Sequence, residues 1–68
     1  MKKLNKIKLT EAEKLTVDIK SNIAFIYLKK KHYILCIETC TECLEIDDKH
    51  QKSLYRRASS YFGTFKNQ

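Results

Sequence analysis

The sequence predicts an all-α protein made of antiparallel helix-turn-helix repeats. Its 68 residues contain no proline and one glycine, Gly63, a composition typical of helices. The chain also matches itself at a spacing of 34 residues, where Ala24 aligns with Ala58 and Tyr27 with Tyr61. Apolar residues recur every three or four positions through most of the chain, which is the periodicity of an amphipathic helix. These observations together predict about one and a half helical repeats.

The first helix is predicted to span about residues 10–30. Thr10 and Glu13 have the spacing of a capping box, in which each side chain accepts a hydrogen bond from the other residue's backbone N–H. A helix is therefore expected to begin at Thr10. The apolar stripe expected along it consists of Leu15, Ile19, Ile23 and Ile26, widened by Ala24 and Tyr27.

A second helix is predicted from about residue 33 to residue 46, after a short polar connection. Its apolar side is expected to carry Tyr33, Cys36, Ile37, Cys40, Cys43 and Leu44. The glutamates Glu38, Glu42 and Glu45 fall on the opposite side and are expected to face solvent.

The third helix is predicted to span about residues 49–62. Asp48 and Gln51 have the spacing of an N-terminal capping signature, and Gly63 is placed to end the helix in a left-handed conformation. The residues expected to face inward are Leu54, Tyr55, Ala58 and Tyr61. Because the connections are short, neighbouring helices are expected to be antiparallel.

Length and charge indicate a single small domain with a basic start. We expect a lysine-rich segment at residues 1–9, a three-helix module at residues 10–63, and a tail or the truncated start of another helix at residues 64–68. The net charge is +6, and residues 1–31 carry all of the excess. Such a segment can attract nucleic acid. A solvated lysine-rich tail is preferred, because no base-stacking motif accompanies the lysines.

Three cysteines and two histidines are the candidate ligands or catalytic groups. Cys36, Cys40 and Cys43 line one helix face, where they could gather a soft metal together with His32 or His50. We prefer the interpretation that they are small core residues where two helices approach closely. Both histidines are expected to be solvent-facing turn residues. No nucleophile and base have a recognisable spacing, so no enzyme activity, metal or cofactor is predicted.

Four polar residues mark a candidate groove. Asp18 and Asn22 lie one turn apart on the first helix, and Lys52 and Arg56 lie one turn apart on the third. Asp18 and Lys52 share one repeat position, and Asn22 and Arg56 share another, so stacked helices would bring them to one concave wall. Amide, ammonium and guanidinium groups can together bind a carboxylate. The alternative is an ordinary solvated cationic helix face.

The repeat spacing, with a small residue and an aromatic three positions later, resembles the tetratricopeptide repeat. Residues 21–29, 33–46 and 51–58 resemble in particular the second and third repeats of carboxylate-clamp co-chaperones, of the large FK506-binding immunophilin type. The resemblance covers residues 10–63 and implies an α-solenoid fragment. It also implies a groove for the acidic C-terminal tail of heat-shock chaperones of the ninety- and seventy-kilodalton classes.

Position by position, the resemblance implies a peptide-carboxylate site at Asn22, Lys52 and Arg56. Counterparts of the first-repeat clamp residues and of the prolyl isomerase domain are missing, which implies only a partial clamp. The expected function is a protein–protein interaction module of co-chaperone type in the cytoplasm or nucleus, with no membrane partner. The main alternative is a structural repeat fragment that completes a larger array or a homo-oligomer. A nucleic-acid-binding role is less favoured.

Overall fold

A computed structural model of the protein describes residues 8–66 and contains three α-helices in that range. They are α1 (Glu11–Lys29), α2 (Tyr33–Ile46) and α3 (Gln51–Lys66), and each contacts the other two. No strand occurs in the described part of the chain, which confirms the all-α prediction. None of these helices is both long enough and apolar enough to cross a membrane. The expected lysine-rich segment falls mostly on residues 1–7, outside the described range.

The first helix begins where the capping box predicts. The Thr10 hydroxyl accepts a hydrogen bond from the Glu13 N–H at 3.1 Å, and the Thr10 N–H donates to the Glu13 carboxylate at 2.9 Å. Two backbone donors that no helical carbonyl can reach are thereby satisfied. The side chains of Thr10 and Glu13 therefore fix the residue at which α1 begins.

The turn from α1 to α2 is a Schellman motif with lysine at the position that usually holds glycine. Lys31 has a φ of 63°, in the left-handed region. Its N–H donates to the Leu28 carbonyl at 3.0 Å, and the next N–H, of His32, donates to the Tyr27 carbonyl at 2.8 Å. The His32 ring is exposed, as expected, and stacks on the Tyr27 ring with a centroid distance of 6.3 Å.

The second helix has the predicted bounds, and its three cysteines are fully buried. Cys36 and Cys40 lie with their sulfurs 3.9 Å apart, and the Cys43 sulfur is 3.7 Å from the Val17 carbonyl oxygen of α1. Such short approaches need small side chains on both helices. The prediction that the cysteines are core residues is confirmed, as is the exposure of Glu38, Glu42 and Glu45.

The third helix begins two residues later than predicted, because the cap is His50 and not Asp48. The His50 Nδ1 accepts a hydrogen bond from the Ser53 N–H at 3.3 Å and lies 2.8 Å from the Ser53 hydroxyl oxygen. Asp47 accepts from the Lys49 N–H at 3.2 Å and shapes the preceding turn. His50 is therefore a half-buried capping residue, and the expectation that it faces solvent is wrong.

Gly63 lies inside α3 and does not end it. The helix continues to Lys66, so the predicted end at residue 62 is wrong, and residues 64–66 belong to α3. Gly63 is buried, and a Cβ atom built on it would lie 2.5 Å from two ring carbons of Tyr33 on α2. The glycine is thus needed for close approach between helices. Residues 67 and 68 lie outside the described range.

In α2 the predicted apolar side packs inward, but in α1 and α3 most of the residues that pack inward are not the ones predicted. In α1, the predicted stripe residues Leu15, Ile19, Ile23 and Ile26 are 41–60% exposed, and Val17 and Ser21 are buried on the opposite face. Ala24, which was predicted to widen the stripe, is fully buried, and Tyr27 packs against the core as predicted. In α3, the residues predicted to face inward, Leu54, Tyr55, Ala58 and Tyr61, are all exposed, while Ser53, Ser60 and Gly63 are buried. Periodicity locates an apolar stripe but cannot show which of two faces packs, and here the faces of small residues allow the close helix contacts.

Candidate functional site

A cavity of about 320 Å³ lies between α1 and α3. Two residues of α1 and four from the first half of α3 line it: Phe25, Leu28, Gln51, Lys52, Tyr55 and Arg56. The lining combines apolar or aromatic surface with two cationic side chains and includes no carboxylate. This composition suits a ligand that has a small apolar group next to an anion.

Arg56 is held in place by residues of α1. Its Nη1 atom donates to the Ser21 carbonyl oxygen at 2.6 Å and lies 2.7 Å from the Ser21 hydroxyl oxygen. Its guanidinium carbon is 4.8 Å from the centroid of the Phe25 ring, a cation–π distance. The guanidinium carries five N–H donors, and among residues 8–66 its hydrogen bonds go through Nη1. Arg56 therefore joins α3 to α1 and presents its charge in a fixed orientation.

The structure brings Lys52 and Arg56 to the same cavity and leaves Asn22 outside its lining. Lys52 is exposed, one turn before the half-buried Arg56. Asn22 is exposed on α1, immediately after the Ser21 that binds Arg56. Asp18, one turn earlier on α1, is exposed as well. The predicted cationic pair thus lies on one wall, with Asn22 on the neighbouring helix.

Two important residues of this region, Ser21 and Phe25, were not singled out by the sequence reasoning. Ser21 is buried although it is polar, because its hydroxyl and carbonyl oxygens accept from Arg56. Phe25 contacts two cations, since the Lys29 ammonium is also 5.6 Å from its ring centroid. One sequence signal pointed to Phe25: it is an aromatic residue of the first helix that lies off the predicted aliphatic stripe.

The cysteine cluster is a poor candidate for chemistry. Burial, together with the neighbouring Cys36 thiol, raises the pKa of Cys40 to about 12, so the thiol stays protonated and weakly nucleophilic near neutral pH. In residues 8–66, no group of three or more His, Cys, Asp or Glu side chains is placed to hold a metal ion. The cysteines therefore act as packing residues.

The pair of His50 and Ser53 has a hydrogen-bond length typical of a base and a nucleophile, but its surroundings suit a helix cap. Ser53 is fully buried, so its hydroxyl cannot reach a substrate. The same Nδ1 that faces the hydroxyl also accepts from the Ser53 backbone. The contacts between His50 and Ser53 therefore stabilise the start of α3.

No known protein family matches this chain, and no solved structure matches it. The residues of the groove and the helix faces around it are therefore the observations that bear on function.

Proposed function

We propose that this protein is a tetratricopeptide-type interaction module of the co-chaperone kind, without catalytic activity. It would hold the acidic C-terminal tail of a heat-shock chaperone in the groove between α1 and α3. Lys52 and Arg56 would bind carboxylates at the end of the peptide, and Asn22, which lies outside the cavity lining on α1, would donate a hydrogen bond to a terminal carboxylate that extends beyond the cavity. The observation that carries the proposal is the shared cavity of Lys52 and Arg56.

The shape and contents of the cavity support a peptide end as ligand. A volume of about 320 Å³ accommodates one small apolar side chain and an adjacent carboxylate, and it lies at the lower limit of ordinary ligand pockets. Phe25, Leu28 and Tyr55 supply the apolar wall. The guanidinium of Arg56 can bind a carboxylate through two parallel hydrogen bonds.

Pre-organisation of Arg56 also supports the proposal. Ser21 and Phe25 already restrict the guanidinium, so binding would cost little further side-chain entropy. Lys52 is exposed at the same cavity, where its ammonium can follow a carboxylate over several positions. Three clamp residues make a weak site, and a low affinity is expected.

The first experiment is a calorimetric titration with a peptide ending in Glu-Glu-Val-Asp and with the same peptide amidated at its C-terminus. Amidation removes the terminal charge and leaves the side chains unchanged. The free acid is expected to bind and the amide to bind at least several-fold more weakly. Equal binding of the two peptides would contradict the carboxylate site.

The second experiment compares alanine variants. Lys52→Ala and Arg56→Ala are each expected to weaken binding by roughly tenfold or more, because each removes a charge-assisted contact. Lys66→Ala is the matched control, since it removes one exposed positive charge from the same helix outside the cavity lining. Circular dichroism must show that Arg56→Ala keeps its helices, because Arg56 also binds Ser21. If all three variants bind alike, the proposed function is wrong.

A further inference from the structure

A short run of residues in α3 combines two arginines and a serine in an order that protein kinases recognise. Arg56 and Arg57 stand three and two positions before Ser59, with Ala58 between them and the serine. One class of serine kinases selects arginines at these two positions, because carboxylates of the kinase bind the guanidinium groups beside the active site. The sequence of α3 therefore contains a recognition pattern for an arginine-directed kinase.

Ser59 is also the serine of this chain that is best placed to carry a phosphate. Of the four serines it is half-buried, whereas Ser21, Ser53 and Ser60 are buried. The hydroxyl of each buried serine is within hydrogen-bond distance of a partner in the fold. A phosphate on one of them would break that contact and bring a charge into the core, whereas a phosphate on Ser59 can stay hydrated.

The pattern can be recognised only when α3 separates from the other two helices. In the folded protein Arg56 binds Ser21 of α1, and the Arg57 Nη1 atom donates to the Thr41 hydroxyl oxygen of α2 at 3.2 Å. A kinase cleft binds its substrate as an extended segment. The helix must therefore open locally before a phosphate is transferred.

Opening of α3 is favoured by the small amount of apolar surface that this helix buries. Its buried residues are Ser53, Ser60 and Gly63, and its leucine, tyrosine and phenylalanine side chains are 40–74% exposed. By contrast, α1 buries a valine and an alanine, and α2 buries three cysteines and a leucine. Because the free energy of local opening rises with buried apolar surface, α3 is expected to open more readily than α1 or α2.

In the refolded helix the phosphate would lie on the cationic side of the groove. Lys52, Arg56 and Ser59 follow one another at spacings of four and three residues, so they share one face of α3. Ser59 is about 4.5 Å further along the helix axis than Arg56. Phosphoserine carries about 1.5 to 2 negative charges at pH 7, and residues 49–66 contain no acidic side chain that would repel it. The phosphate would therefore be attracted to Arg56.

The phosphate and a peptide carboxylate would compete for the same donors. Within residues 8–66 the hydrogen bonds of Arg56 go through Nη1, so its Nε and Nη2 donors are left for a ligand. Phosphate and carboxylate both accept paired hydrogen bonds from a guanidinium. A phosphate on the same helix has a high effective concentration at Arg56, which gives it an advantage over a free peptide.

We propose that Ser59 is phosphorylated by an arginine-directed serine kinase and that the phosphate closes the groove to acidic peptides by pairing with Arg56. In the transfer, the Ser59 Oγ atom attacks the γ-phosphorus of the MgATP bound to the kinase. The bond from that phosphorus to the bridging oxygen of ADP breaks, and the hydroxyl proton passes to a base of the kinase. The modification itself is independent of peptide binding, whereas the closing of the groove rests on the proposed function.

The first test incubates the full chain with the catalytic subunit of cyclic-AMP-dependent protein kinase and MgATP, and locates the phosphate by mass spectrometry. One phosphate is expected, at Ser59, and Ser59→Ala should reduce incorporation to background. Arg57→Ala should lower the rate at least roughly tenfold, because it removes a charge-assisted contact with the kinase. Thr41→Val is the matched control. It removes the same hydrogen bond to Arg57 but keeps both arginines, so its rate should equal or exceed the native rate.

The second test repeats the calorimetric titration with the peptide ending in Glu-Glu-Val-Asp. The phosphorylated chain is expected to bind it at least roughly tenfold more weakly than the unmodified chain, and treatment with a phosphatase should restore binding. Ser59→Glu should weaken binding several-fold. Ala58→Glu is the matched control for charge, because Ala58 is exposed on the other side of the helix from Arg56, and it should bind like the native chain.

The modification site is wrong if the native chain gains no phosphate while the same kinase modifies its reference peptide. Phosphate at Ser60 or at a threonine in place of Ser59, or an Arg57→Ala rate equal to the native rate, would also overturn it. Equal peptide binding by the phosphorylated and unmodified chains would overturn the closing of the groove and leave the proposed function standing. An unmodified chain that binds no peptide would overturn the proposed function and the closing of the groove together, and the mass spectrum would still decide the modification site.

Discussion

The ring of Tyr33, at the start of α2, lies directly against the backbone of Gly63 in α3. A Cβ atom at Gly63 would be 2.5 Å from ring carbons of Tyr33, closer than side-chain carbons pack. This contact explains why a glycine is found inside a helix, where it lowers stability by about 1 kcal/mol relative to alanine. It also brings the two helices close enough to bury Ser60 one turn earlier in α3.

We predict that Gly63→Ala changes the free energy of unfolding in opposite directions in two backgrounds. In the native background it should destabilise the protein, because the new methyl group displaces the Tyr33 ring. In a Tyr33→Ala background it should stabilise the protein by about 1 kcal/mol, the helix-propensity difference. Urea unfolding of the four proteins at one low concentration measures the coupling. A stabilisation of equal size in both backgrounds would contradict the contact.

We predict that His50 stabilises the start of α3 as a cap. His50→Ala should lower the free energy of unfolding by about 1 kcal/mol, because the Ser53 N–H loses its acceptor. His50→Asn should retain most of the stability, since its side-chain oxygen can accept the same bond. Asp48→Ala is the comparison, because the sequence predicted the cap at Asp48. Urea unfolding measures the free energy of unfolding of all three variants. Unchanged stability of His50→Ala would contradict the cap at His50.

We predict that Lys31→Gly stabilises the turn between α1 and α2. Lys31 has a left-handed backbone conformation, which costs an L-residue roughly 1 kcal/mol that glycine avoids. The variant should gain a few tenths to about 1 kcal/mol, because the more flexible unfolded chain offsets part of the benefit. Lys30→Gly is the control, since Lys30 has a φ of −88° and should lose stability on the same change. Thermal unfolding of both variants measures the effect. Equal shifts in Tm for Lys31→Gly and Lys30→Gly would contradict the explanation from the left-handed conformation of Lys31.

We predict that the native thiols are slow to react and that part of the stability is lost at high pH. Burial raises the pKa of Cys40 from 9.0 to about 12 in the folded protein. The folded thiol keeps its proton where the unfolded thiol releases it, so this contribution is complete below pH 9 and declines as the pH rises towards 12. Native protein at pH 8 should react slowly with a thiol reagent, and urea-unfolded protein rapidly.

The control for the pH dependence is Cys40→Ala, because lysines and tyrosines titrate in the same range. Stability of the variant should fall less steeply between pH 9 and pH 12 than that of the native protein. Matching slopes in the two proteins would show that Cys40 is not responsible. Rapid reaction of all three thiols in the folded state would contradict the burial of the cluster.

The candidate site was predictable only in part. Lys52 and Arg56 could be placed together because they lie one turn apart on one helix, and a helix fixes that spacing. The binding of Arg56 to Ser21 could not be foreseen, because it joins residues 35 positions apart and depends on how closely α1 and α3 approach. The distance between α1 and α3 also decides that Asn22 lies outside the cavity lining.

Local sequence alone determined where α1 and α2 begin and end. The capping box at Thr10 acts within four residues, and the bounds of α2 follow from an apolar period between polar connections. Tertiary structure decided everything that depends on a partner helix. It selected the small-residue faces of α1 and α3 for the core, because only small side chains let neighbouring helices approach closely enough to pack without voids. It also made Gly63 a contact with Tyr33 inside α3, although the same glycine seen locally predicts the end of a helix.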